Sequence, residues 1–311
     1  MIFHGASVPS GPVRRVRLLE DRMLYSRRDL AKIALGAFSA GRLLGKPNST
    51  IRGVTIGVHS RSFHDLTLDG ALAAMVNVGI GSCELWEGHV APLSLSRKGL
   101  REWRETIAIE QFQLVASTAS KAGVKIHAYN YDFAEDFSDL EIQRGFEMAK
   151  GLGAGLVTAS PPPAMVRRLN AAAVKAGMYV GLRNGDGKQP GDLSNPDDLV
   201  TAVRGNNNIG ICLDAVAFAT AGNDVVKFLV GHLDRTLTVY LRDHGERVAF
   251  GADNALVGSV VKQIQGRRAT FPAVIDYDSQ GMDPVAVVDR SFAFCKQILT
   301  AKYVAPPAVR K

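Results

Sequence analysis

From Arg52 onward the chain switches repeatedly between two hydrophobic rhythms. Short runs in which every second residue is a branched apolar one give way to a polar loop. A longer stretch follows, with apolar residues spaced three and four apart. The first rhythm predicts strands and the second amphipathic helices. The strands fall at Val54 to His59, Ser82 to Trp86, Val124 to Tyr129, Leu156 to Ser160, Tyr179 to Arg183, Ile209 to Asp214, Thr236 to Arg242 and Ala273 to Asp278. Helical stretches follow them, for example Leu68 to Gly79, Glu141 to Gly153 and Pro284 to Leu299. Eight strand and helix units in strict alternation predict a single α/β domain, an eight-stranded parallel (β/α)8 barrel. An open doubly wound sheet is second, and no Walker or dinucleotide glycine fingerprint speaks for it.

In a closed barrel the outward strand face must be apolar to meet the helices, so strand parity sorts the side chains. Val54, Ile56 and Val58 face out, which turns His59 in. Cys83 and Leu85 face out, with Glu84 and Trp86 in. Ile126 and Ala128 face out, with His127 and Tyr129 in. Val180 and Leu182 leave Arg183 inside, and Ile209, Ile211 and Leu213 leave Asp214 inside. Leu237, Val239 and Leu241 send Tyr240 and Arg242 in, and Ala273 with Ile275 sends in Asp276 and Asp278. Nearly every strand thus ends on an inward polar residue. In this architecture those ends form one mouth, where the active site lies.

Charge changes the picture only at the amino end. The 311 residues carry a net charge of +7, but residues 1–50 hold nine Lys and Arg against three Asp and Glu. The rest, with 28 against 27, is close to neutral, which argues against a basic nucleic-acid face. "SRRDLAKIALGAFSAG", Ser26 to Gly41, places Arg27 and Arg28 before a short apolar run. This is the pattern of a twin-arginine export signal, with Met23 a candidate start, and it predicts a periplasmic or otherwise exported protein. Its apolar core is too short for a permanent membrane span. The expected organisation is a leader over 1–50, a barrel over 51–300 and a tail over 301–311. Cys83, Cys212 and Cys295 are too few and too far apart for a disulfide framework or a cysteine zinc site. "GDGKQPGD", from Gly185, reads as a solvated turn and Pro161 to Pro163 as a rigid rim loop.

The strand ends also carry a resemblance. "IGVHSRSF", "CELWEGH", "CLDAVAFATAG", "YLRD" and "VIDYDS", followed by "DPVAVVDRSFAFCKQIL", together resemble the sugar phosphate isomerase/epimerase superfamily of xylose isomerase-like barrels, over roughly Ile51 to Leu299. The resemblance implies acid/base proton transfer on a small carbohydrate, aided by a divalent metal on carboxylate and imidazole ligands. The ligand set departs from the family pattern. Arg183, Asn184 and Gly185 stand where the fifth strand has His-Asn-His or a Glu. Asp214 is kept but its partner histidine is Ala217. Tyr240 and Arg242 replace His and Lys before Asp243, and Asp276 and Asp278 are one carbon shorter than the usual glutamates. Asp214 and Asp276 remain the only candidate ligands for a weakly held Mn, Zn or Mg ion. The expectation is that Arg183 carries the positive charge in place of a metal.

The residues expected to carry chemistry are therefore His59, Glu84, Arg183, Asp214 and Asp276. Trp86, His89, His127, Tyr129, Asn184, Tyr240, Arg242 and Asp278 are expected to bind substrate. Two function classes follow: an exported isomerase- or epimerase-like enzyme with little or no metal dependence, and a catalytically silent barrel that binds a sugar or a partner. The expected partner is a small carbohydrate rather than nucleic acid, and a homo-oligomer is left open.

Overall fold

A computed structural model describes residues 46–242, 255–277 and 282–301. The export signal expected over Ser26 to Gly41, Asp243 and Asp278 lie outside the described residues.

The chain folds as a closed parallel barrel of eight strands with helices between them. The strands are β2 (Val54–His59), β3 (Ser82–Trp86), β4 (Lys125–Asn130), β5 (Leu156–Ala159), β6 (Tyr179–Arg183), β7 (Ile209–Asp214), β8 (Thr236–Leu241) and β9 (Ala273–Ile275). Each pairs with the next, and β2 pairs with β9 to close the ring. A two-residue strand, β1 (Thr50–Ile51), precedes them and pairs antiparallel with β2. The turn between them is Arg52 and Gly53, both at positive φ (47° and 87°), the geometry that matches strand twist in a two-residue hairpin.

The helices are α1 (Leu68–Val78), α2 (Arg97–Thr106), α3 (Glu110–Lys121), α4 (Asp139–Gly151), α5 (Val166–Ala176), α6 (Pro196–Val203), α7 (Ala215–Thr220), α8 (Val225–Gly231), α9 (Ala255–Gly266) and α10 (Pro284–Thr300). Their ends follow local chemistry. Thr67, Ser96, Ser138 and Asn195 cap α1, α2, α4 and α6 with side-chain oxygens on backbone N–H groups, and Ser138 with Glu141 forms a reciprocal capping box. Gly79 ends α1 at φ 91°, a conformation other residues resist. Outward strand residues such as Ile56, Val58, Leu85, Val180, Ile211 and Ile275 pack with the helices in one continuous core. Glycines line the inner wall low in the barrel and admit larger neighbours. His127 touches Gly57, and Leu156 and Cys212 fill the space over Gly181.

Two irregularities break the parity expected from sequence. Between Cys83 and Glu84 the pairing of β3 with β4 shifts by one residue, so that His127 has no partner of its own. Beyond this bulge the facing of β4 reverses. Tyr129, expected inside, joins the helix-facing core beside Phe112 of α3 and Tyr131, while Ala128, expected outside, does not. A second shift between Ile211 and Cys212 skips Leu237 on β8. That residue, expected outward, lies against Gly210 on the inner wall.

Candidate active site

The polar strand ends meet at the carboxyl end of the barrel. His59 closes β2 and lies level with Glu84 on β3, both fully buried. The His59 ring donates from Nδ1 to Asp276 Oδ1 at 3.0 Å, and its Nε2 sits 3.9 Å from Glu84 Oε1. Across the mouth, Arg183 at the end of β6 bridges two carboxylates. Its Nη2 reaches Asp214 Oδ2 at 2.6 Å and Asp276 Oδ2 at 2.9 Å. Arg242, one residue past β8, donates to the same Asp276 oxygen from Nη2 at 2.5 Å and Nε at 3.0 Å. The Arg183 guanidinium also lies 4.4 Å from the centre of the Tyr240 ring. Two buried aspartates thus share two guanidinium groups, which meets the demand that buried charges be paired.

Burial alone would push the Asp276 carboxyl up. Arg242, His59 and Arg183 outweigh it and hold the group well below the usual carboxylate range. Asp276 is therefore an acceptor only, so the proton of a neutral His59 ring sits on Nδ1 and Nε2 presents its lone pair. Glu84 is in the opposite position. Burial raises its pKa, and His59, Thr158 and Tyr240 only partly offset this. Thr158 on β5 donates to Glu84 Oε1 at 2.5 Å, and the Tyr240 hydroxyl donates to the same oxygen. Two atoms of this group, His59 Nε2 and Glu84 Oε2, are buried without a hydrogen-bond partner. Orphaned buried polar atoms are uncommon and call for an explanation such as a catalytic role or a bound water; His127 Nε2 and the Tyr129 hydroxyl, away from this cluster, are orphaned as well.

Of the residues expected to act, the fold brings His59, Glu84, Arg183, Asp214, Tyr240, Arg242 and Asp276 into this cluster. Trp86, partly buried, lies edge-on to His89, with ring centroids 5.5 Å apart. Other expected site residues are engaged elsewhere. His89 uses Nδ1 on Ser60 and Nε2 on the Phe63 carbonyl, bracing the turn after β2. Asn184 spends its amide on the backbone of Asp214, accepting from the Asp214 N–H at 2.8 Å and donating to the Asp214 carbonyl at 3.2 Å. It fixes the end of β7, and with it the Asp214 carboxyl, instead of facing a ligand. His127 lies low in the barrel with Nδ1 on Ser82 Oγ. Tyr129 faces the helices, as described above. Glu87, the residue after Trp86 and not one of that set, pairs with Arg104 of α2 at 2.7 Å. The loop after β6 is a turn held by Asp192, which accepts from the N–H groups of Gly187 and Ser194.

Sequence parity overlooked Thr158 and Asn130. Thr158 is the one polar residue in the strand "LVTA", and that was its available signal.

A divalent metal, which the resemblance implies, does not fit these residues. Asp214 and Asp276 each face a guanidinium within 3 Å, and no three His, Cys, Asp or Glu side chains among the described residues are grouped to hold a cation. Asp278, the remaining carboxylate of the expected set, is outside the described residues.

No protein-family model matches the chain, and no curated protein matches it in sequence. Solved structures do match. A D-psicose 3-epimerase crystallised in the presence of D-fructose superimposes with a TM-score of 0.64 at 10% identity, covering 80% of this chain and 100% of that one. A 3-keto-D-glucoside 4-epimerase from E. coli gives 0.62 at 14% identity, over 78% and 99%. A sugar phosphate isomerase/epimerase from Parabacteroides distasonis gives 0.60 at 14% identity, over 85% and 97%. At such identities the likeness is one of fold. The chain has the barrel fold shared by xylose isomerase-like and sugar phosphate isomerase/epimerase proteins.

Proposed function

We propose that the protein is an isomerase- or epimerase-like enzyme that moves a proton beside the carbonyl of a small sugar, with fixed arginine charge in place of a metal. The observation that carries this reading is the pair of orphaned buried atoms, His59 Nε2 and Glu84 Oε2, in a cluster whose other charges are mutually paired. His59 is the base: its Nε2 lone pair takes the proton from the carbon next to the carbonyl. The C–H electron pair becomes a C=C bond, and the carbonyl π pair moves onto oxygen, where the Glu84 carboxyl supplies a proton. When His59 returns the proton to the former carbonyl carbon while the neighbouring hydroxyl gives its proton to the Glu84 carboxylate and becomes the carbonyl, the product is an isomer. When a solvent proton reaches the first carbon from the opposite face and the enediol hydroxyl returns its proton to Glu84, the product is an epimer. Arg183 and Arg242 provide positive charge that needs no reorganisation as the oxygen becomes negative. The sugar epimerases of the same fold support the substrate class.

The test is exchange of carbon-bound hydrogen with solvent, followed by proton NMR in deuterium oxide over a panel of aldoses and ketoses, with and without chelator. The expected result is exchange that chelator does not reduce and that falls by roughly 10²- to 10⁴-fold in His59→Asn and in Glu84→Gln. Saturation of Asp214 and Asp276 by guanidinium groups favours a second reading, a barrel that binds a sugar without turning it over. Sugars that raise the melting temperature with no exchange would establish that one. Export through the twin-arginine route belongs to the same proposal and is supported by Arg27 and Arg28 ahead of the Ile33 to Phe38 apolar run.

A further inference from the structure

The hydrogen bonds around Glu84 are lopsided. Oε1 accepts from the Thr158 hydroxyl at 2.5 Å and also from the Tyr240 hydroxyl, while Oε2 has no partner. A carboxyl oxygen has two acceptor sites, and both on Oε1 are taken. While both hydroxyls donate to Oε1, a proton carried by Glu84 sits on Oε2. Asn130 supports the Thr158 hydroxyl in its donor role. Asn130 on β4 lies level with Thr158, and its amide Nδ2 donates to Thr158 Oγ1 and to the Thr158 carbonyl, both at 3.3 Å. With its oxygen accepting from Asn130, the Thr158 hydroxyl keeps its own proton for Glu84 Oε1, the bond an ionised Glu84 requires.

We propose that Thr158 is a positioning residue which, oriented by Asn130 and together with Tyr240, reserves Glu84 Oε1 as acceptor and so holds the transferable proton on Oε2, the oxygen that meets the substrate. The inference rests on the role of Glu84 as acid in the reading above. It extends that role to a side chain that touches neither substrate nor the aspartates. The other titratable groups around Glu84 are His59 of β2, Cys83 of its own strand, Cys212 of β7, Tyr240 of β8 and Asp276 past β9.

The experiment compares Thr158→Val, which keeps the shape and loses the hydroxyl, with Thr158→Ser, which keeps the hydroxyl. Both are made in the full-length protein with the glutamate side chains labelled with carbon-13, and Glu84→Gln identifies the Glu84 signal. In Thr158→Val the ionised carboxylate loses a donor, so the Glu84 midpoint moves upward; Thr158→Ser returns it to the wild-type position. Hydrogen exchange on the best sugar shows kcat down about tenfold in the valine variant with KM within about twofold, and recovery in the serine variant. If the valine variant does not fold, Asn130→Ala gives the same upward direction through loss of the orienting amide. An unchanged Glu84 midpoint in folded Thr158→Val, or a serine variant that behaves like valine, would overturn the proposal. A wild-type protein that exchanges no sugar would defeat the reading of function, while the titration would still decide whether Thr158 positions Glu84.

Discussion

Arg183 holds Asp214 and Asp276 with one nitrogen, and Arg242 holds the same Asp276 oxygen from the other side. Removing one partner from a buried ion pair leaves an uncompensated charge, so Arg183→Leu is expected to cost about 3–5 kcal/mol in urea unfolding. The structure also shapes what a histidine would do there. Arg183→His supplies an imidazole, but Arg242 still opposes a cation, so the single variant is expected to bind metal poorly. The double variant Arg183→His with Arg242→Ala frees both carboxylates. It is expected to gain melting temperature on adding manganese or zinc and to lose it in chelator, because a ligand of the folded state stabilises it. His127 offers a pH test. Its ring is buried and kept neutral, with burial the largest cause, and its pKa falls from 6.5 to about 3. The unfolded chain then binds a proton that the folded one does not. This contribution is complete above pH 6.5 and is lost as pH falls from 6.5 towards 3, on the order of 5 kcal/mol when fully developed. His127→Gln is expected to flatten the decline of stability over that window, measured as unfolding free energy against pH.

Among the elements, α2 and α4 are tied by charge. Arg97 and Arg101 of α2 both reach Glu141 of α4, at 2.7 and 2.9 Å, and Glu141 is itself the third residue of the α4 capping box. Ser138→Ala removes one cap and is expected to cost about 1 kcal/mol. Glu141→Ala removes the cap partner and also strands arginines over a buried position, so its loss in the same thermal or denaturant measurement is expected to be about threefold larger. Such ties between distant segments were not legible in the sequence, whereas the strands were. Val54–His59, Ser82–Trp86, Tyr179–Arg183 and Ile209–Asp214 fall where the period-two pattern puts them, because a strand with one face on helices must alternate. The same rule put Tyr129 in the mouth and failed, since a bulge depends on how two strands pair and leaves no mark in either strand alone. The inward pointing of His59, Glu84, Arg183, Asp214 and Asp276 was legible from parity. That His89 and Asn184 are occupied by the Ser60–Phe63 turn and the Asp214 backbone was not, because those partners lie on other segments of the fold.

Taken whole, the molecule divides its charge unevenly. The segment 51–311 is nearly neutral and the excess of positive charge lies in residues 1–50, around Arg27 and Arg28. Within the barrel, Cys83, Cys212 and Cys295 are all buried and free. A protein that folded only after reaching an oxidising compartment would expose three thiols to mispairing during folding. One that folds first hides them, the order of events that the proposed twin-arginine route would impose. Two outcomes are therefore expected together. In the folded protein the three thiols should resist a thiol-specific reagent and react with it stoichiometrically once the protein is unfolded in guanidinium. Replacing Arg27 and Arg28 with lysine preserves charge and amphipathicity but removes the arginine pair, and should leave the protein inside the cell, measured by fractionation against an exported marker. An unchanged distribution of that variant between the cell fractions would set the proposed twin-arginine route aside.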